Sequence, residues 1–186
     1  CKNGTFVPVE LSVNLISISD HRVICMVVRD ITERKAAEEI QQALEKRYHA
    51  LFDNAPISLW EEDYSGVKKF IEEKRASGVT DIKGYFLEHP EQVSLCASLV
   101  KVVDINQATL DLYEASNKDQ FSSRLPQIFT DDSKKLFRKI LFLISNGGTY
   151  ISSEDENLSL RGKKISTIVT WAVAPGFEES YEKVYV

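Results

Sequence analysis

The chain has 186 residues, of which 43% are hydrophobic and 27% are charged, and this balance excludes a disordered, collagen-like or purely coiled protein. Its 23 basic and 28 acidic side chains give a net charge of −5, which argues against binding nucleic acid or an anionic membrane through net charge. The three cysteines, Cys1, Cys25 and Cys96, show no pairing or metal-ligand spacing, so we expect a reducing, cytoplasmic compartment. No apolar run is long enough to span a bilayer and no signal peptide is visible, so no membrane contact is expected.

The first 32 residues predict the end of a domain. Residues 5–16 alternate between apolar and polar side chains, which predicts a half-buried strand. After a predicted turn at residues 19–21, residues 23–28 form a continuous apolar run, typical of a strand covered on both faces, with Cys25 as a small core residue. Two strands cannot form a stable domain alone. The chain does not begin with Met and ends in what reads as a strand cut short, so we expect a piece of a longer protein.

Residues 33–52 predict a linker helix, because they contain no Gly or Pro and many good helix formers. Asp30 or Thr32 is expected to cap its start. One apolar stripe runs along this helix at spacings of three and four residues. The stripe either packs on its own domain or, as we favour, pairs with a second subunit in a parallel coiled coil. Its residues are Ala37, Ile40, Leu44, Tyr48 and Leu51.

Residues 53–186 predict an α+β domain. The expected order is a strand at 57–63, a helical block from 65 to about 99, a strand at 99–105, short helices, a long helix capped at Thr130, and three closing strands. This order favours a five-stranded antiparallel sheet with helices on one face. Such a layout encloses a pocket between the long helix and the sheet.

Three segments resemble the PAS family of sensor domains. Residues 27–35 (Val-Val-Arg-Asp-Ile-Thr-Glu-Arg-Lys) resemble the last strand of a PAS domain and the Asp-x-Thr motif that leads into a signalling helix. Residues 48–57 (Tyr-His-Ala-Leu-Phe-Asp-Asn-Ala-Pro-Ile) and 103–108 (Val-Asp-Ile-Asn-Gln-Ala) resemble the start and the first core helix of a second PAS domain. The resemblance implies a truncated PAS domain at residues 1–32, a linker at 33–52 and a second PAS domain at 53–186. It departs from the family at about residues 66–98, which form a helical insertion.

The resemblance also implies which cofactors to expect. A flavin photosensor of this family needs a Cys in an Asn-Cys-Arg string, whereas Cys96 lies in the insertion. A haem-binding member usually has an axial His on the long helix, and residues 130–146 contain none. The histidines and cysteines also lack metal-ligand spacing. We therefore predict no metal, no haem and no flavin, and leave open an unidentified small ligand.

The candidate site residues follow from the predicted pocket. Apolar and aromatic side chains of the strands and of the long helix either line a ligand pocket or simply fill the core. Glu61 and Glu62 are expected at a solvated rim. Asp30 and Thr32, at the strand-to-helix junction, are the expected signal relay. The predicted pocket residues are Trp60, Tyr113, Phe137, Ile140, Val169 and Trp171.

We expect a regulatory sensor module without catalytic residues of its own. The resemblance implies a parent chain such as a sensor histidine kinase of a two-component phosphorelay, with its output kinase or cyclase domain elsewhere. His49 is not expected to be a phosphoacceptor, because Ala50 follows it where an acidic residue is usual. A dimerisation scaffold with a filled core and a cyclase or phosphodiesterase sensor are alternatives. A small enzyme is disfavoured, because no acid, base and nucleophile set converges in the sequence.

Overall fold

In a computed structural model, residues 6–18 and 21–186 are described, and the chain divides into two units, one ending at Leu51 and the other beginning at Phe52. The first unit contains a β-hairpin of strands β1, Val9–Ile18, and β2, His21–Asp30, which pair antiparallel with Val9 opposite Asp30. Helix α1, Thr32–Asp53, follows directly. Residue 5, where the first strand was expected to begin, and residues 19 and 20 of the predicted turn lie outside the described residues.

The prediction that residues 23–28 are covered on both faces is wrong. Val23, Ile24 and Val27 are 45%, 66% and 50% exposed. Cys25, predicted to be a core residue, is only partly buried. The physical reason is that a two-stranded hairpin has no second layer that could bury its faces. A continuous apolar run indicates a strand that needs a packing layer on each face, and the hairpin does not supply these layers.

The second unit contains a five-stranded antiparallel sheet in the order β4-β3-β7-β6-β5. The last strand in the chain, β7, pairs with the first strand of this sheet, β3, on one side and with β6 on the other. It is therefore the central strand of the sheet. This confirms the predicted α+β class and is consistent with a PAS-like fold. The strands are β3, Trp60–Asp63; β4, Lys101–Ile105; β5, Tyr150–Leu158; β6, Lys164–Val173; and β7, Val184–Tyr185.

Six further α-helices lie between these strands, and the predicted insertion consists of three of them. Thr130 caps the long helix α7 in a capping box with Ser133, and Pro90 occupies the start of α4, where its missing N–H costs nothing. A short 3₁₀ turn, Leu125–Gln127, precedes α7. The helices are α2, Ser65–Ala76; α3, Ile82–Glu88; α4, Pro90–Leu99; α5, Gln107–Tyr113; α6, Lys118–Arg124; and α7, Asp131–Ser145.

The interior of the second unit consists of two hydrophobic clusters. One combines the inserted helices with α7 and the strands β6 and β7, and the fully buried side chains of Cys96, Ile144 and Trp171 belong to it. The other joins β3 and β4 to α5 and α6 around the fully buried Phe121. The insertion is therefore part of the core rather than an outlying loop, because its apolar face is buried against α7.

Asn106 fixes the start of the second unit. Its side-chain oxygen accepts hydrogen bonds from Thr109 N, at 3.1 Å, and from Leu59 N, at 3.0 Å. Its amide nitrogen donates to the carbonyl oxygens of Ile57, at 2.8 Å, and Phe52, at 3.1 Å. One buried side chain thus caps α5 and also satisfies the irregular backbone that leads into β3.

Candidate ligand-binding site

A polar cleft lies between the first half of α7 and the strands β5 and β6. We call it the α7 cleft, and it has a volume of about 530 Å³, within the range of roughly 300–1,000 Å³ that is usual for small-molecule sites. Helix α7 contributes Leu136 and Lys139 to its wall, whereas β5 and β6 contribute polar side chains that include Ser153, Asp155 and Thr167. The sequence predicted a pocket between the long helix and the sheet, and the cleft lies between these two elements.

Hydrogen bonds at the start of α7 hold one end of this cleft. The hydroxyls of Thr130 and Ser133 both donate to the carbonyl oxygen of Glu156 on β5. Ser133 Oγ also donates to Asn157 Oδ1 at 3.0 Å, and both of these side chains are buried. The capping residues of α7 therefore also attach the helix to the sheet, which fixes the width of the cleft at this end.

Asp155 lies on the inner face of β5 and lines the cleft. Its carboxylate accepts hydrogen bonds from Glu156 N, at 2.9 Å, and from Asn157 Nδ2, at 3.1 Å. No basic side chain among the described residues forms a salt bridge with it. Partial burial raises the pKa of Asp155, although hydrogen bonds from Glu156, Asn157 and Ser133 oppose the effect.

Glu62 is the clearest departure from the sequence-based expectation. It was expected at a solvated rim, but only 7% of it is exposed, and the described residues provide no basic partner for it. The cause is the strand alternation: Trp60 and Glu62 lie on the buried face of β3, and Glu61 and Asp63 are less buried. Its cross-strand neighbours are the valines Val102 and Val184. Burial raises the pKa of Glu62 to about 7, although a hydrogen bond with Tyr64 opposes the effect.

Tyr64 and Trp171 extend this buried polar group. The Tyr64 hydroxyl is close to the Glu62 carboxyl and to the Trp171 indole, and the two rings lie edge to face at 5.4 Å. Burial, followed by the charge of Glu62, raises the pKa of Tyr64. Trp171 is fully buried, yet its Nε1–H meets no acceptor in hydrogen-bond geometry. A buried donor without a well-placed partner is unfavourable, and the Tyr64 hydroxyl is the polar group beside it.

Tyr113 is a buried side chain of α5 in the cluster around Phe121. Burial is the main reason why the pKa of Tyr113 is raised, and the nearby charges of Asp155 and Glu62 raise it further. The ring of Tyr113 also packs edge to face on Trp60, at 5.8 Å. Tyr113 therefore lies within electrostatic range of both Asp155 and Glu62.

The structure divides the six predicted pocket residues between the two hydrophobic clusters. Trp60 and Tyr113 belong to the cluster around Phe121. Ile140 and Trp171 are buried in the other cluster, and Phe137 and Val169 pack against it. Whether they contact a ligand stays a prediction. Sequence reasoning missed Asp155 and Glu62, although the position of Glu62 between Trp60 and Tyr64 on an alternating strand was a usable signal.

The predicted relay residues are in direct contact. Asp30 Oδ1 accepts hydrogen bonds from Thr32 Oγ1, at 2.6 Å, and from Thr32 N, at 2.8 Å. These two bonds lower the pKa of Asp30. The first backbone hydrogen bond of α1 runs from Lys35 N to Ile31 O, so Asp30 stands just before the helix and satisfies an N–H group at its start. Their role in signal relay stays a prediction.

The predicted seam of α1 lies along one exposed face. Ile40, Leu44 and Leu51 are 63%, 61% and 67% exposed, and Tyr48 is 36% exposed. Ala37 lies on the same face and is also exposed. His49 is exposed on the same helix, with its ring 5.6 Å from that of Tyr48.

The described residues also bear on metal sites and on membrane-spanning helices. Within residues 6–18 and 21–186, no three or more His, Cys, Asp and Glu side chains form an arrangement suited to a metal ion. None of the helices in these ranges combines the length and the apolar character needed to cross a membrane.

Comparison with known proteins gives one short similarity. A segment of 51 residues is 45% identical to part of a protein of Methanosarcina acetivorans that is described as a methyl sulfide methyltransferase-associated sensor. The segment covers 27% of this chain and 5% of that protein, so it spans only a small fraction of the relative. No protein-family model and no solved structure matches the chain. The similarity therefore indicates a sensor-related segment.

Proposed function

We propose that this chain is a sensory module whose second unit binds a small molecule in the α7 cleft. The observation that carries the proposal is the α7 cleft itself, because a volume of about 530 Å³ lined by both polar and apolar side chains suits a small molecule. The similarity to a segment of a sensor and the PAS-like sheet support the same function. A sensor histidine kinase is the kind of parent protein that we favour, and we propose that the chain itself performs no catalysis.

The proposed output path is the junction between β2 and α1. Asp30 and Thr32 join a strand to a helix through two hydrogen bonds, and such a junction has few interactions to rearrange. The proposal requires neither haem nor flavin. A cyclase or phosphodiesterase parent would use the same module in the same way.

Occupancy of the cleft can be tested directly. The chain is purified without denaturation and analysed by native mass spectrometry, and we expect a bound molecule that is lost on unfolding. Thr167→Trp should abolish binding, because Thr167 lines the cleft and a bulky ring would fill it. Thr170→Trp is the matched control, since Thr170 lies on the exposed face of the same strand.

The outcome separates two readings of the second unit. If the unmodified chain carries no molecule and Thr167→Trp leaves its thermal unfolding midpoint unchanged, the unit is a scaffold with a filled core. If Thr167→Trp loses the molecule while Thr170→Trp keeps it, the cleft is the binding site.

The exposed stripe of α1 supports a second role, in dimerisation. We propose that two copies pair through Ile40, Leu44 and the other stripe residues. The double variant Ile40→Lys with Leu44→Lys places like charges in the seam and should yield monomers in sedimentation equilibrium, whereas Gln42→Lys, off the stripe, should leave a dimer. An unmodified chain that sediments as a monomer at high concentration would contradict this role.

A further inference from the structure

The three acidic side chains of β3 differ in their partners. Lys183 Nζ lies 3.2 Å from Glu61 Oε1, and Lys101 Nζ lies 3.1 Å from Asp63 Oδ2. Glu62 lies between them on the buried face of the strand, and no salt bridge among the described residues includes it. Strand β3 therefore places one carboxyl inside the core without a positive partner.

The side chains that face Glu62 from the neighbouring strands and from α5 supply no positive charge. Two valines, one of β4 and one of β7, stand directly opposite it. The titratable groups near it are phenols. Tyr64 forms a hydrogen bond with Glu62. Tyr113 of α5 has a pKa that is raised by burial and further by the charges of Asp155 on β5 and of Glu62.

The helices that pack on this core direct their charges elsewhere. Lys68 of α2 pairs with Glu72 at 3.3 Å, and its amine also lies 5.5 Å from the centre of the Tyr181 ring. Cys96 of α4 has a pKa that burial raises to about 12, so its thiol is neutral. An ionised Glu62 therefore has no counterion among the described residues, and its charge is stabilised only by water. The lysines of α7 are exposed, namely Lys134, Lys135 and Lys139.

Strand β7 is the shortest strand of the sheet. It has two residues, whereas β5 and β6 have nine and ten. Trp60 and Val186 exchange two backbone hydrogen bonds, of 2.8 and 3.0 Å, and Tyr64 N donates to Tyr181 O at 2.8 Å. We call residues 181–186 the β7 segment. Few backbone hydrogen bonds hold this segment to β3.

The β7 segment begins with a strained residue. Tyr181 has a backbone φ of 56°, in the left-handed region that a bulky side chain rarely adopts. Its ring is fully buried and stacks on Trp171 at 6.2 Å, and its hydroxyl donates to Gly148 O at 3.1 Å. These contacts hold the strained backbone in place. Opening of the segment relieves the strain, which lowers the free-energy cost of opening.

We propose that the second unit responds to proton concentration through Glu62: the protonated carboxyl keeps the β7 segment in the sheet, and loss of its proton to water releases the segment. The carboxylate then becomes hydrated where Val184 had covered it. The strand that opens is β7, because it pairs with two residues of β3 and follows the strained Tyr181, whereas β4 pairs with all four. The response is separate from ligand binding, since Glu62 does not line the α7 cleft.

The response falls near neutral pH. Burial raises the pKa of Glu62 to about 7 in the closed sheet, although the hydrogen bond with Tyr64 opposes the effect, whereas the ordinary value is 4.5. The closed state therefore binds the proton more tightly than the open state does. Between these two values opening becomes more favourable by up to about tenfold per pH unit, and above pH 7 it no longer depends on pH.

Hydrogen exchange followed by NMR tests the response in the unmodified chain. The protection factor of the Val186 amide, which donates to Trp60 O, should fall by roughly 40-fold from pH 5 to pH 7 and level off above pH 7. The Leu158 amide, which donates to Ile128 O, is the control and should stay more strongly protected. Exchange of Val186 should also depend weakly on urea, because a local opening exposes little surface.

Two outcomes of this exchange experiment would overturn the proposal. Equal protection and equal urea dependence of Val186 and Leu158 would show that Glu62 acts on global unfolding alone. A pH response in the amides of β4 as large as that of Val186 would show that β7 is not the strand that opens.

Matched variants test the residue. Glu62→Gln does not ionise, so its Val186 protection should vary by less than about twofold between pH 5 and pH 8. Glu61→Gln removes the bridge to Lys183, so it should lower the protection at every pH but keep the pH dependence. The proposal fails if Glu62→Gln keeps the full pH dependence.

A direct titration needs no variant. The carboxyl ¹³C resonance of Glu62 is followed from pH 3 to pH 9 in the unmodified chain, and its midpoint should lie near pH 7. A midpoint near the ordinary value of 4.5 would mean that water already reaches Glu62 in the closed sheet, and would contradict the proposal even if Glu62→Gln does not fold.

Discussion

The two units of this chain contain similar apolar residues but bury them to very different degrees. In the second unit Ile144, Leu141 and Trp171 are completely buried, and three inserted helices complete the core around them. In the first unit the apolar side chains of the hairpin and of α1 are mostly half-exposed or more. The comparison shows that the apolar content of a segment does not decide its stability, because burial requires a second layer, and only the second unit has one.

A pair of matched substitutions would give the largest effect and test this difference directly. Ile144→Ala removes a fully buried side chain from α7 and should lower the free energy of unfolding by about 2–5 kcal/mol. Ile40→Ala makes the same chemical change in α1, where the side chain is 63% exposed, and should change it by less than about 0.5 kcal/mol. Urea denaturation at low protein concentration, where pairing through α1 does not contribute, measures both. Equal losses would show that the first unit is buried to the same degree in solution.

The buried carboxyl of Glu62 should give the second-largest effect, and it depends on pH. Its pKa is about 7 in the folded chain, against an ordinary value of 4.5, so the folded state binds more protons than the unfolded state between these two values. The free energy of unfolding therefore falls as the pH rises through this window, by roughly 3 kcal/mol in total for this residue. Below about pH 4.5 both states are protonated and the loss is absent.

Glu62→Gln isolates this contribution. The amide does not ionise, so the variant should be more stable than the unmodified chain at pH 8, by up to about 3 kcal/mol, and equally stable near pH 4. Glu61→Gln is the matched control on the other face of β3. It removes the salt bridge in which Lys183 Nζ lies 3.2 Å from Glu61 Oε1, so it should not be more stable than the unmodified chain at pH 8. A difference between Glu62→Gln and the unmodified chain that is constant from pH 4 to pH 8 would mean that the pKa of Glu62 is the same in the folded and unfolded states, as for a solvated carboxyl.

Local sequence signals predicted the elements of the second unit well, because those signals act over a few residues. Helix α7, for example, follows from the Thr130 cap and its apolar spacing. The candidate site was harder, because its groups come from distant elements. Asp155 on β5 and Glu62 on β3 become buried only after the sheet has formed, and two adjacent glutamates ordinarily indicate a surface. The six predicted pocket residues were all core residues or packed against the core, but no local pattern shows that they divide between two clusters.

The smallest expected effect concerns the junction at Asp30, and it distinguishes local from global stability. Asp30→Ala removes the acceptor of both hydrogen bonds from Thr32, so the first turn of α1 should open more often. We expect faster amide hydrogen exchange at Glu33, Arg34 and Lys35, with no change in the denaturation midpoint that the second unit shows.

Because the pKa of Asp30 is lowered in the folded chain, its stabilising contribution is present above the ordinary value of 3.8 and is lost as the pH falls through the folded value. Exchange in this turn should therefore accelerate in acid for the unmodified chain but not for Asp30→Ala.

Thr32→Val sharpens the same experiment, because it removes the hydroxyl donor and keeps the backbone one. Its exchange rates should lie between those of Asp30→Ala and the unmodified chain. If the junction also relays a signal, Asp30→Ala in the parent protein should reduce the ratio of stimulated to basal output, and Glu33→Ala, which removes a neighbouring charge, should not. Faster exchange with an unchanged output ratio would leave Asp30 as a helix cap alone. Unchanged exchange would show that the two hydrogen bonds do not hold the start of α1. This result would contradict a relay role for the junction.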